Sequence, residues 1–297
     1  MNPKITIAIC TYDNYKILSI CLRSLLNQSC PRSFYEILVL DNTPQKDSVV
    51  KNECVDICNT FGFIYLNKET NGLSGARNAC IENCNTDLIH FIDDDTVLPA
   101  NFIEESINCF YLDESLAAFG GKVIPDWRFV DRPAWLSDDY LGFLSMVDFG
   151  DNKKVFGDGF HWLAGANICF KKSVFESYGF FDESLGRKGG TSSLLGAEEN
   201  NLFRNMIKKE KVIYNSFSML FHIVPPERVC QSWFIKRASW GVVSDILINC
   251  SWGSYSKDFL KDNVHLLLEE AQDEETFGLR MKLAHELNYG LLKTGLL

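Results

Sequence analysis

The sequence predicts an α/β fold with a mostly parallel central sheet flanked by helices and a helical C-terminal extension. Three features carry this prediction. Through roughly the first hundred residues, short β-rich runs alternate with longer stretches of helical period. Each of the four apolar runs stops at a cluster of turn-forming or charged residues. Beyond Pro226 strand character gives way to helical patterning. Strands spaced by helices of this length are joined as parallel βαβ units.

The elements follow in order. "ITIAIC" (Ile5 to Cys10) is β-rich and bounded by Pro3 and "TYDN". Lys16 to Gln28 places Ile17, Cys21, Leu22, Leu25 and Leu26 on one helical stripe. "YEILVL" is the second strand and ends at "DNTP". Residues 46–59 form a helix with Val50, Cys54, Ile57 and Cys58 inward, and "GFIYL" is the third strand. After "NGLSG", Ser74 is expected to cap a helix from Gly75 to Cys84. "LIHFI" is the fourth strand, and Pro99 opens a helix with Phe102, Ile103, Ile107 and Phe110 on one side. "FGGKVIP" returns to strand, then an aromatic-rich irregular segment runs to residue 160. "FHWLAGANICFKK" is a strand leading toward a helix near Lys172. A loop then precedes a helix from Glu199 to Lys209, and "KVIYNS" and "SMLFHI" complete the sheet. The expected division is a sheet domain over residues 1–225 and a helical extension over 226–297, packed on or beside it.

Composition narrows the function. A formal net charge of -10 and a pI near 5.1 speak against nucleic acid as a partner, since binding it needs basic surface. The 11 cysteines are odd in number and form no CxxC, so they read as small buried hydrophobes in a reducing compartment. "MNPKITIAIC" is too short and polar for a secretory leader, and no apolar run is long enough to span a membrane. A cytoplasmic protein is expected. The acids of "LLLEEAQDEE" argue against insertion into an anionic bilayer and suit a packing helix or a contact between copies.

Sheets of this kind bind ligands outside the carboxyl ends of their strands. The polar residues gather there: Thr11 to Asn14, Asp41 and Asn42, Asn67 to Asn71, and Asp93, Asp94 and Asp95. Three adjacent carboxylates after a buried strand repel one another and call for a positive partner. Strand-end aspartates suit Mg²⁺ or Mn²⁺, with Asp93 and Asp95 on one side and Asp94 on the other. A solvated loop with a capping aspartate is the structural alternative. Neither GxGxxG nor GxxxxGK[ST] follows the first strand, which speaks against a dinucleotide-binding domain and a P-loop ATPase. "NGLSGARN" offers Gly72 and Gly75 for close approach, free N–H groups at a helix start, and Arg77. Glu198 and Glu199 open a helix, where acids also favour the dipole, and His222 lies in an apolar strand where it also suits the core.

The blocks "PKITIAICTYDNYKILSICLRSLLNQ", "ILVLDNTP", "NGLSGARNACIENCNTDLIHFIDDDTVLPANFIE", "WLAGANICFKKSVFESYGFFDESLG" and "LGAEENNLFRNM", in this order, resemble the family 2 glycosyltransferases, which have the GT-A nucleotide-sugar fold. The resemblance covers residues 3–225 and points to bacterial members. It implies an inverting transfer of a sugar from a nucleoside diphosphate, with a uridine donor favoured, to a carbohydrate or lipid-linked acceptor. It implies that Thr11, Tyr12 and Asp41 line the base and ribose, and that Gly72, Ala76 and Arg77 cover the nucleotide. Asp93 and Asp94 then lie near ribose or sugar, and Asp95 and His222 hold Mn²⁺ or Mg²⁺. Trp162, Gly165, Ala166 and Asn167 border the donor sugar or acceptor. The family's Glu-Asp pair falls on Glu198 and Glu199, so a glutamate stands where the catalytic aspartate is expected; Glu199 is the expected base and Glu198 the reserve. A lipid-linked acceptor would bring the protein to the cytoplasmic face of a membrane without crossing it. A sugar-phosphate nucleotidyltransferase and an inactive nucleotide-sugar-binding scaffold are the alternatives.

Overall fold

A computed structural model of the chain describes residues 4–44, 48–156, 162–248, 256–267 and 270–294. Residues 46 and 47 of the expected second helix, the first two residues of "FHWLAGANICFKK" and Cys250 lie outside these ranges. The chain divides into two compact units: Met1–Ile124, Ser145–Gly190 and Glu198–His222 form one, and Pro125–Leu144, Thr191–Ala197 and Ile223–Leu297 the other.

The described strands are β1 (Ile5–Thr11), β2 (Tyr35–Asp41), β3 (Ile64–Asn67), β4 (Leu88–Asp93), β5 (Thr96–Val97), β6 (Leu116–Asp126), β7 (Lys154–Val155), β8 (Asn167–Lys171) and β9 (Lys211–Ile223). They form one sheet in the order β3-β2-β1-β4-β8-β6-β9-β5, with β7 paired to β9. The first four pair in parallel. β8 runs antiparallel to β4 and β6, and β9 antiparallel to β5 and β7. The sheet is therefore mixed, and the expected parallel geometry describes only its first half. Parallel neighbours need a crossover, commonly a helix. The chain reaches β8 through the irregular aromatic-rich segment instead, and returns antiparallel.

Helices α1 (Tyr15–Ser24), α2 (Val49–Phe61), α3 (Gly72–Asn83), α4 (Phe102–Tyr111), α5 (Val174–Tyr178) and α6 (Glu198–Met206) belong to the sheet unit. β1 is buried along nearly its whole length because both faces are covered. Ile5, Ile7 and Ile9 join Leu18 and Leu22 of α1 in one core, and Ala8 joins Ala76, Ala79 and Cys80 of α3 in the other. Each fully buried Leu or Ile contributes about 1.5–3 kcal/mol of transfer free energy. Two local expectations change. "KVIYNS" and "SMLFHI" are one continuous strand, β9. Ser74 does not cap α3, which begins earlier at Gly72; its buried hydroxyl donates to Leu185 O at 2.8 Å. The described cysteines are all free, and all but Cys10 and Cys230 are buried.

The second unit carries α7 (Gln231–Leu247), α8 (Lys257–Asn263) and α9 (Glu274–Lys293). Trp135 packs its ring 4.6 Å from Phe277 of α9 and 5.7 Å from Phe234 of α7, both fully buried. Asp273 caps α9 by accepting from Thr276 N. No helix among the described residues is long and apolar enough to cross a membrane.

Candidate functional site

β1 and β4 are neighbours in parallel, with Cys10 opposite Asp93, so the loops that follow them meet. Thr11 Oγ1 donates to Asp94 Oδ2 at 2.5 Å, and Asn14 Nδ2 donates to Asp94 Oδ1 at 2.9 Å. Asp94 is thus turned toward the β1 loop. Burial, with the charge of Asp95 next, pushes its carboxyl up to about 7 against the opposing hydrogen bonds.

Asp95 turns toward β9. Antiparallel pairing of β5 with β9 sets Thr96 opposite His222. His222 Nε2 then lies 3.1 Å from Asp95 Oδ1, with both residues buried. Asp93, Asp95 and His222 each offer a ligand atom, and these lie within 4.8 Å of one another. Two carboxylates and an imidazole are a donor set for a divalent cation such as Mn²⁺ or Mg²⁺. His222 Nδ1 is buried with no hydrogen-bond partner among the described residues, so the ring retains an uncommitted nitrogen. The residues fit a cation. Their meeting depends on strand register 126 positions apart in sequence (222 minus 96), which local pattern does not encode.

Arg77 on α3 is 2 % exposed. Its Nη1 donates to Glu198 Oε1 at 2.6 Å, and its Nη2 lies 3.5 Å from Asp93 Oδ1. Burial works against its charge, but Glu198 and then Asp93 outweigh that and push the guanidinium up. Gly165 makes room for it: a Cβ there would meet Arg77 Nη2 at 2.4 Å. At the start of α6, Glu198 is buried in this pair. Glu199 is half-buried; its Oε1 accepts from Gly165 N at 3.3 Å, and its buried Oε2 has no partner among the described residues. Burial, with the Glu198 charge next, pushes Glu199 up to about 8. Ala197, just before the pair, has φ 73, a left-handed conformation that costs a non-glycine residue about 1 kcal/mol or more.

Other expected residues divide. Tyr12 is 39 % exposed at the strand ends and packs beside Gly189. Gly72 has φ +71, and a Cβ there would meet Arg187 O at 2.6 Å, so α3 can start under the Gly186–Gly190 loop only with glycine. Ala76 and Ala166 are buried, and half-buried Trp162 packs against the core. Asn167 is fully buried, and its side chain bonds His90, Lys122 O and Ser218 O, joining strands. Asp41 is also fully buried. It accepts from Thr43 N, Tyr15 OH and Tyr65 OH and pairs with Lys51 at 3.1 Å. Burial opposes its charge, but bonds from Thr43, Tyr65 and Lys51 hold the carboxyl below the usual range. Sequence reading missed Lys51. Its signal was present: Lys51, Cys54 and Cys58 share one inward face of α2.

Comparison with known proteins agrees with this architecture. The family model described as glycosyl transferase family 2 matches residues 6–179. The chain is 26% identical over 273 residues to glucosyl-dolichyl phosphate glucuronosyltransferase of Haloferax volcanii, covering 87% of this chain and 82% of that protein. Mannosyltransferase PcManGT from Pyrobaculum calidifontis, solved with GDP-Man and Mn²⁺, has a similar fold at a TM-score of 0.58 and 18% identity, covering 100% of this chain and 80% of that one. S. aureus TarS 1-349, solved with UDP, matches at a TM-score of 0.57 and 13% identity, covering 98% and 92%. The chain spans 43% of the longer TarS chain.

Proposed function

The chain belongs to glycosyl transferase family 2, and on that premise we propose that it moves a sugar from a nucleoside diphosphate, a uridine diphosphate by preference, to an acceptor hydroxyl with inversion at the anomeric carbon. The acceptor is a lipid-phosphate-linked sugar, supported by the name of the Haloferax relative and its matching length. Such an acceptor brings the protein to a membrane surface as a peripheral enzyme. Family membership removes the ground for the nucleotidyltransferase alternative.

The observation that carries the mechanism is the pairing of a cation-binding trio, Asp93, Asp95 and His222, with two adjacent carboxylates that each keep an Oε2 without a partner among the described residues, of which Glu198 is ion-paired to Arg77 through Oε1 and Glu199 accepts a backbone N–H. Asp93, Asp95 and His222 would hold a divalent cation, which when bound would supply Lewis-acid charge for the diphosphate leaving group. Glu198 is occupied by Arg77. Glu199 is bonded through Oε1 only to the Gly165 backbone and has a raised proton affinity, so in its deprotonated form it is the group fitted to take the acceptor's proton. As the hydroxyl oxygen forms its bond to the anomeric carbon, the bond to the diphosphate breaks and Glu199 receives the proton. Tyr12, exposed at the strand ends, offers a ring face to the base. In Glu199→Gln, nucleotide binding measured by calorimetry should persist while turnover falls by about 10²–10⁴-fold. Wild-type turnover in that variant would move the base elsewhere.

A further inference from the structure

Arg77 stands between two carboxylates with unequal claims on it: Glu198 at 2.6 Å and Asp93 at 3.5 Å. Its surroundings leave it little freedom. The Phe181 ring lies 5.6 Å from its Cζ, and Gly165 has no side chain against Nη2. A guanidinium this buried needs a counter-ion, because an unpaired buried charge costs several kcal/mol. The nearer carboxylate meets that need. Asp93, one of the three cation-binding side chains, remains the looser partner, with its side chain 32% exposed.

We propose that Glu198 is a positioning residue: as the counter-ion of Arg77 it keeps the guanidinium from closing on Asp93, and so keeps the Asp93 carboxylate available to the cation. Neutralising Glu198 leaves Asp93, already 3.5 Å from Nη2 and ahead of Glu199 in its effect on the guanidinium, as the strongest remaining partner of Arg77, and the guanidinium then competes with the cation for it. This inference rests on the metal reading above and extends it to a residue outside the trio. It also gives the adjacent glutamates different work: Glu198 serves the cation through Arg77, and Glu199 serves the acceptor.

The test is Mn²⁺ binding to the full chain without nucleotide, measured by electron paramagnetic resonance. Wild type should bind Mn²⁺; if it does not, the metal reading falls and takes this inference with it. Glu198→Gln, which keeps shape and a hydrogen-bond acceptor, should weaken Mn²⁺ about tenfold or more, the usual cost of losing an outer partner of a metal ligand. Adding Arg77→Met removes the competitor, so the double variant should regain at least wild-type affinity. If Glu198→Gln binds Mn²⁺ like wild type, or the double variant binds no better than Glu198→Gln, the inference is overturned while the metal reading stands. A crystal structure of Glu198→Gln reads the same point without metal or activity. Arg77 should move into a direct pair with Asp93, and an unchanged 3.5 Å separation would count against the proposal.

Discussion

The ends of β2 and β4 present the same feature in sequence, an apolar run stopping at aspartate, and use it in opposite ways. At the end of β2, Asp41 is fully buried, and its two oxygens receive Thr43, Tyr15, Tyr65 and Lys51. At the end of β4, three carboxylates crowd together. Burial and mutual charge push Asp94 up to about 7, while Asp93 and Asp95 face His222 in a group that a cation can join. A saturated carboxylate holds a fold together. A crowded set favours a further positive charge, and the proposed function places its cation there.

The contrast can be broken most directly at Asp95. Asp95→Ala should abolish Mn²⁺-dependent nucleotide binding yet leave the melting temperature close to wild type, because relief of carboxylate crowding offsets the lost contact with His222. Nucleotide affinity that responds to Mn²⁺ as in wild type would put the cation elsewhere. Asp41→Asn should show the reverse. Breaking a buried pair by neutralising one partner costs about 3–5 kcal/mol, so denaturant melts should show a loss of that order. The surviving folded fraction should still bind nucleotide. Lost affinity in a chain of unchanged stability would return Asp41 to the nucleotide pocket.

Much of this was legible in the sequence. Alternating runs gave β1 to β4 and their helices, since local period and turn chemistry decide those elements. The strands of the second half were legible too, but their antiparallel pairing was not, because β8 and β9 pair by contacts between distant segments. The aspartates could be suspected as cation ligands from like-charge repulsion alone. What Arg77 touches could not: α3 carries Arg77, but its partner Glu198 comes 121 residues later and its seat is the missing side chain of Gly165. Nor could the bonds of Asn167 be read: an asparagine in a motif segment reads as a ligand group, and its donation to the backbone carbonyls of Lys122 and Ser218 depends on strands distant in sequence.

The smallest expected effect tests the comparison through pH. Glu199 is pushed up to about 8 in the folded chain, against about 4.3 for an unfolded glutamate. Between these values the folded chain keeps a proton that the unfolded chain releases. Its contribution to stability is therefore present below the lower value and is lost as pH rises toward the upper. Asp41 has the opposite sign. Its folded carboxyl lies below the ordinary range, so its contribution is present above the unfolded value and is lost as pH falls through the folded one. Urea melts across about pH 3 to 9 should therefore show two separable slopes. Glu199→Gln should reduce the decline on the alkaline side to the part that Asp94, pushed up to about 7, contributes, and leave the acid side alone; Asp41→Asn should reduce the acid loss and leave the alkaline side alone. An alkaline decline of unchanged size in Glu199→Gln would mean that this glutamate holds no extra proton and that Asp94, pushed up to about 7, carries the whole effect.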